Sequence, residues 1–336
     1  MSSELRNEFA FSFSKAKLLE ECERAFWYTV YRSWGGWYSN NRPPESAQAE
    51  AAYKAKHFTN VPELAGSVVH EVAAWGLQRA LESPEIWSDG SLRLTLLKRA
   101  AAKIDDCIES AMKRLGTNPK RITRLVELEN GLAFHEDELR DLVRHKLTVL
   151  TAGNDSWDGD LKAVNPYLHA ISIIDRVMLI EEFTTHHLAI GSDVVKVFFT
   201  IDLALKSVTG KGVVIVDWKT GRPRQKDAGQ ITSYAALMGA RNFDSVTPIL
   251  AYVSGDIGRT VKVPWHREDS MASLMADVSL FVEKMRPKLV GGDLHLNKAI
   301  ESEFHPTADY SKCERCRFMK VCRASGAMPT KPSPLP

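Results

Sequence analysis

Between Phe11 and about Tyr31 the apolar positions Leu18, Leu19, Cys22, Ala25 and Phe26 recur at three- and four-residue spacing, which predicts an amphipathic helix capped by Ser12 or Ser14. From Trp34 to Pro62, Gly, Asn, Pro and Ser interrupt any period, so this stretch reads as a long loop. It ends where Gly66-Ser67 opens a helix carrying His70. Helical patterns return over Leu92 to Leu115 and Glu136 to Leu150, with little β signal between about Ser83 and Ser156, and predict an inserted helical subdomain. From about Tyr167 the pattern changes. Ile171 to Ile180, Val194 to Lys206 and Gly212 to Thr220 are rich in Val, Ile and Phe and read as strands. A helix (Asp227 to Arg241), a strand (Pro248 to Val253) and a helix (Asp269 to Leu289) follow. Four prolines after Ala327 predict a disordered tail, and no internal repeat is visible. The organisation expected is N-terminal helices over 1–82, a helical insert over 83–160, an α/β core over 161–290, a cysteine-bearing segment over 291–326 and the tail over 327–336.

Composition narrows the class. Of 336 residues 44% are hydrophobic, enough for a sizeable core, and 44 Lys and Arg against 42 Asp and Glu leave a charge of +2, so any surface for a polyanion must be local. No run approaches the roughly 18 apolar residues of a membrane span, and MSSELRNEFAF lacks a secretory layout; the expectation is a cytoplasmic protein with no membrane partner. Five cysteines, three of them close together near the C-terminus, suit metal binding in a reducing compartment better than a disulfide framework.

The candidate chemistry lies in a hairpin. In VKVFFTIDLALK the residues Val195, Val197, Phe199, Ile201 and Leu203 share one strand face and leave Asp202 on the other. In VVIVDWKTG, Asp217 and Lys219 share a face. Ser207 to Gly212 supplies the glycines of a tight turn, and a turn centred on Thr209-Gly210 places Asp202 directly opposite Asp217. Like charges so placed destabilise a sheet unless a cation lies between them, and an Asp beside Trp218 and among Val213 to Val216 is costly unless paired. A divalent metal with hard oxygen ligands, magnesium or manganese, satisfies both conditions. Lys219 would then lie near a bound phosphate and help orient the attacking water.

These residues resemble the PD-(D/E)XK superfamily, and within it the RecB-like exonucleases, including the CRISPR-associated RecB-like branch and AddB-type nuclease domains. The matching motifs are Asp202, Asp217-Trp218-Lys219, Gln230-Ile231-Thr232-Ser233-Tyr234 and Gly66-Ser67-Val68-Val69-His70. The resemblance implies an α/β, restriction-endonuclease-like core, a mixed sheet flanked by helices; it does not cover the helical insert, which is expected to form a wall or lid over the cleft. It implies a metal site of His70, Asp202 and Asp217, with Lys219, Gln230 and Tyr234 completing the catalytic set. Glu181 or Glu182 stands where the family has a glutamate near the site. Asp175 is a rival first carboxylate, disfavoured by its distance from Asp217. The chain has Phe199 and Thr200 where the family often has a glycine.

KCERCRFMKVC gives Cys313, Cys316 and Cys322, one ligand short of a four-cysteine site. The resemblance supplies Cys22 as the fourth and a [4Fe–4S] cluster as the cofactor in a C-terminal iron–sulfur segment; spacing alone leaves zinc open. Cys107 is expected to be a bystander. Arg315, Arg317, Phe318 and Lys320 form a candidate surface for gripping a phosphate backbone and stacking a base. The function implied is hydrolysis of phosphodiester bonds in DNA by a metal-dependent nuclease, an exonuclease on single strands, with partner proteins of a recombination, CRISPR adaptation or phage and defence system. The rival is a catalytically silent DNA- or partner-binding module stapled by zinc or an iron–sulfur cluster.

Overall fold

The computed structural model describes residues 6–38, 42–83, 92–113, 118–151, 175–207, 211–239, 243, 245–253 and 259–330. Its sheet is organised around β3 (Asp193–Lys206), which pairs antiparallel along one side with β2 (Val177–Ile190). Along the other side Leu203 to Lys206 pair antiparallel with β4 (Gly212–Lys219), while Lys196 and Val197 pair parallel with β1 (Ala10–Phe11). β4 pairs parallel with β5 (Ser245–Tyr252), and β5 antiparallel with β6 (Arg259–Lys262). The sheet is therefore mixed, as expected. β6 escaped the sequence reading because RTVK is too short and polar to show a period.

Helices cover both faces. The chain contributes α1 (Phe13–Glu21), α2 (Glu23–Trp27), α3 (Ala47–Lys56), α4 (Val61–Glu82), α5 (Leu92–Lys113), α6 (Val126–Asn130) and α7 (Glu136–Thr151) before the sheet is complete. After β4 come α8 (Gln225–Gly239) and α9 (Arg267–Met285), and near the C-terminus α10 (Tyr310–Glu314) and α11 (Met319–Ala324). One core joins Val197, Phe199, Ile201 and Ile215 to α8 and α9; the other joins Leu203, Leu205, Val216 and Trp218 to α4, α5 and α7. The apolar residues of β3, expected on one face, thus divide between two cores at Asp202. No described helix is long and apolar enough to cross a membrane.

Three helix boundaries differ from the periodicity. The helix expected from Phe11 to Tyr31 is interrupted at Cys22, which is extended (φ −166, ψ 107), because Arg24 N donates to the carbonyl of His305 at 3.0 Å and Phe11 has joined the sheet. Tyr28–Arg32 then continues as a π turn. α3 lies inside the predicted loop: Ser46 caps it and five alanines raise its helix propensity above the influence of the flanking Gly and Pro. α4 begins at Val61 rather than at Gly66, with an Asn60/Glu63 capping box and Pro62 in the first turn, where its missing N–H costs nothing.

The chain ends meet. Tyr28 stacks on Phe318 at 5.4 Å, Phe26 on Phe304 at 6.2 Å, and the Tyr28 hydroxyl lies 2.7 Å from Ser325 Oγ. Phe318 is 1% exposed, which corrects the expectation that it stacks a base. The described part of the predicted tail also departs from disorder, since Ala327 and Met328 pack on the core; residues 331–336 lie outside the described residues. Phe318→Ala should therefore lower unfolding free energy by about 3–5 kcal/mol, as for other large-to-small core changes, whereas exposed Arg315→Ala should change it by less than about 0.5 kcal/mol. Urea denaturation of the two variants checks this.

Candidate active site

The predicted register is observed: Leu203 stands opposite Val216 and Lys206 opposite Val213. The ladder stops one step before Asp202 and Asp217. There β3 and β4 part, and the Asp202 Oδ2 accepts the N–H of Trp218 at 2.7 Å, taking the place of a strand carbonyl. Both aspartates are buried, 7% and 5% exposed, at the floor of a cleft of about 1460 Å³. Its walls come from α1, the β2–β3 ribbon, the start of α8 and one side of α9.

His70 reaches the floor from α4. Its Nδ1 lies 3.1 Å from Glu181 Oε1 and 3.6 Å from Asp202 Oδ2. Gly66, one turn earlier, permits this approach, because a Cβ there would stand 2.9 Å from Thr220 Oγ1 just beyond the Asp-x-Lys strand. Lys146 of α7 donates to the Thr220 carbonyl, a contact that sequence did not reveal.

Glu181 is the functional candidate that sequence located only to within one residue. It stands across from Asp202 but outside the ladder: Ile180 pairs with Leu203 and Glu182 with Ile201, and the pair between them is missing. The cause is its left-handed backbone, φ 49, a conformation that costs a non-glycine residue about 1–3 kcal/mol and concentrates at working sites. Glu182 is exposed, and Asp175 is exposed in the turn preceding β2. Ligand atoms of His70, Glu181 and Asp202 all lie within 4.8 Å of one another. Asp217 shares the cleft, but its Oδ2 contacts Lys219 Nζ at 2.7 Å.

Lys219 also donates to Gln230 Oε1 at 3.0 Å, and Gln230 Nε2 donates to the Tyr234 hydroxyl at 2.6 Å. Tyr234 is 5% exposed and stacks on Phe199 at 5.0 Å, so it steadies Gln230 from within the core rather than from an accessible helix face. That stack also accounts for Phe199 where a glycine is common in the resembling family. Of the other residues expected to contact DNA, Arg315 is exposed. Arg317 is engaged by Glu63 at 2.6 Å and the Lys56 carbonyl at 3.1 Å, and Lys320 lies 3.5 Å from Glu129.

The electrostatics fit a cation. Burial, then repulsion from Asp217 and Glu181, raises the Asp202 pKa to about 8. Burial also raises Asp217, against the pull of Lys219. Burial would lower His70, but Asp202 and then Glu181 raise it to about 9. Three carboxylates in a desolvated pocket repel one another, and a hard divalent ion with oxygen and imidazole ligands relieves that repulsion.

A family model for the PD-(D/E)XK nuclease superfamily matches residues 10–323. The chain belongs to that superfamily, whose members are phosphodiesterases that typically use Mg²⁺ or Mn²⁺. Among solved structures, one described as the crystal structure of SSO0001 is similar at 16% identity over 44% of this chain, with a TM-score of 0.26; the match spans 59% of that protein. Among curated proteins, none matches.

Metal binding should displace protons from this pocket, because Asp202 must be ionised and His70 neutral to act as ligands. Both groups have raised pKa values, about 8 and about 9, so both lose their protons as pH rises through that window. Manganese affinity should strengthen from pH 6 to about 9, by about tenfold per pH unit for each proton displaced, and then level off. Calorimetric titration in two buffers of different ionisation enthalpy would reveal the proton release; a pH-independent affinity would contradict it.

Proposed function

We propose that the protein is a metal-dependent DNA exonuclease that acts on single strands. The observation that carries this reading is the convergence of His70, Glu181 and Asp202 beside an Asp217–Lys219–Gln230 chain in one open cleft. His70, Glu181, Asp202 and Asp217 are the residues that would hold the divalent ion. When bound, it supplies Lewis acidity at a phosphate oxygen and lowers the pKa of a coordinated water.

The chain's own groups do the rest. Lys219 is fixed between Asp217 and Gln230, which occupy two of the three N–H groups of its ammonium; the third is left for the attacking water or the phosphate. A charge fixed in a partly desolvated site stabilises developing negative charge without reorganising. Tyr234, donor to none of the reacting atoms, keeps the Gln230 carbonyl turned toward Lys219 by accepting from its amide.

We further assign a structural [4Fe–4S] cluster to Cys22, Cys313, Cys316 and Cys322. In support, the four cysteines line one small cavity with Tyr28, Phe318 and Met319. Ala25 N donates to Cys22 Sγ at 3.5 Å and Phe318 N to Cys316 Sγ at 3.4 Å, the type of contact that stabilises iron-bound thiolates. Burial pushes Cys316 to about 11 and Cys322 to about 12, so both are neutral thiols unless a cationic centre is bound beside them. Cys107 is buried in the other core, apart from this cavity.

Anaerobically purified protein should be brown, and Cys316→Ala should lose the colour and melt at a lower temperature. A colourless protein with stoichiometric zinc would sink the iron–sulfur assignment.

Activity is tested on labelled single- and double-stranded DNA with and without manganese. Lys219→Ala should leave DNA binding intact and lower cleavage roughly a hundredfold or more, the scale for removing one preorganised donor. Asp217→Asn should be partly rescued by higher manganese, and the lysine variant should not. Wild-type cleavage by Lys219→Ala at saturating metal would show that this site is not the catalytic one.

A further inference from the structure

Among the phenylalanines that line the cleft, Phe183 and Phe198 form a pair on the β2–β3 ribbon that also carries Glu181 and Asp202. Phe183 on β2 is 61% exposed, an unusual position for a phenylalanine in a molecule with two well-filled cores. Its ring lies 5.3 Å from that of half-buried Phe198 on β3, at an interplanar angle of 45°. Lys15 of α1 supports the pair from one side: its Nζ sits 5.5 Å from the centre of the Phe198 ring and donates to the Ala10 carbonyl at 3.1 Å.

Register fixes where these rings lie relative to the chemistry. Phe183 pairs with Thr200, two residues along β3 from Asp202, and is itself two residues beyond Glu181. At the rise of a strand, Phe183 is about 7 Å along the ribbon from the carboxylates and Phe198 about 13 Å. An extended polynucleotide whose scissile phosphate sits at the carboxylates would bring its next base over Phe183. Lys17, Arg222 and Arg224 line the same cleft and suit its backbone charge.

We propose that Phe183, backed by Phe198, stacks an unpaired nucleobase adjacent to the scissile phosphate and so makes the cleft selective for single strands. The proposal deepens the nuclease reading and rests on it. Bases in an intact duplex are stacked on their neighbours and offer no free face to a side chain, whereas every unpaired base does. Phe183 is therefore a positioning residue for the substrate rather than part of the hydrolytic machinery.

The test separates base contact from phosphate contact. Fluorescence anisotropy, in chelator so that nothing is cleaved, compares a labelled oligothymidylate with an abasic strand of the same length and with a blunt duplex. Wild type should prefer the thymidylate strand to the abasic one. Phe183→Ala should bind the thymidylate strand about tenfold more weakly, within the range for loss of one stacked base. It should bind the abasic strand and the duplex as wild type does, and Phe183→Trp should restore the preference. In manganese, Phe183→Ala should raise KM on single strands and leave kcat unchanged. The proposal is overturned if Phe183→Ala keeps the base preference, or if it weakens all three probes equally, as loss of a protein-docking or purely structural residue would. Failure of the nuclease reading looks different: wild type would bind with base preference in chelator yet cleave nothing in manganese, which leaves the stacking contact standing.

Discussion

The parting of β3 and β4 at Asp202 and Asp217 is the constraint on which this molecule depends. Two paired strands satisfy each other's backbone groups; two strands that separate leave them orphaned, and a buried orphan is expensive. Here the Asp202 carboxylate takes the Trp218 N–H itself. The same side chain thus closes the sheet's hydrogen bonding and stands within reach of His70 and Glu181. The division of β3 between two cores follows from the same point, since Leu203 remains in the layer under α4 while Ile201 enters the layer under α8.

The approach of His70 adds a second demand. A helix packed on the opposite face of the sheet must come close enough to the strand end for its imidazole to reach round to the carboxylates. Gly66 against the Thr220 side chain and Lys146 on the Thr220 carbonyl set that closeness. Residues from three layers are consequently held at one place by backbone proximity rather than by any single strong bond. The acid–base properties follow: burial and the neighbouring Asp217 and Glu181 raise Asp202, whereas His70 is raised against the effect of burial by Asp202 and Glu181.

What could be read from the sequence was what short range determines. The hairpin register depends on a few residues between two strands, and the expected register holds from Leu203 opposite Val216 to Lys206 opposite Val213, ending one step before Asp202 and Asp217. The spacing of Gln230 and Tyr234 follows from one helix. Glu181 was harder, because its role comes from a left-handed residue in a polar strand, EEFTTHH, and from pairing with a segment that local pattern does not identify. Phe318 looked like a surface aromatic among basic residues. Its partner, Tyr28, is nearly three hundred residues away, and no local period reports such a contact. The alanine-rich α3 and the break at Cys22 failed for opposite reasons: intrinsic propensity prevailed over neighbouring Gly and Pro in one, and a tertiary hydrogen bond to His305 overrode a regular period in the other.

The cleft has one wall, α1, which Glu20 ties to Lys226 and Lys284 and which is anchored further by the far end of the polypeptide. Arg24 and Glu23, just after α1, bond to His305, and Lys288 and Glu301 pair with the same two residues. In folding terms these contacts close loops of 277 and 282 residues, and contacts between such distant segments are entropically slow to form. The sheet, with its carboxylates, is assembled from nearer neighbours. Topology therefore orders events: the acidic floor can exist before the groove above it does, and the meeting of head and tail completes the α1 side of that groove last.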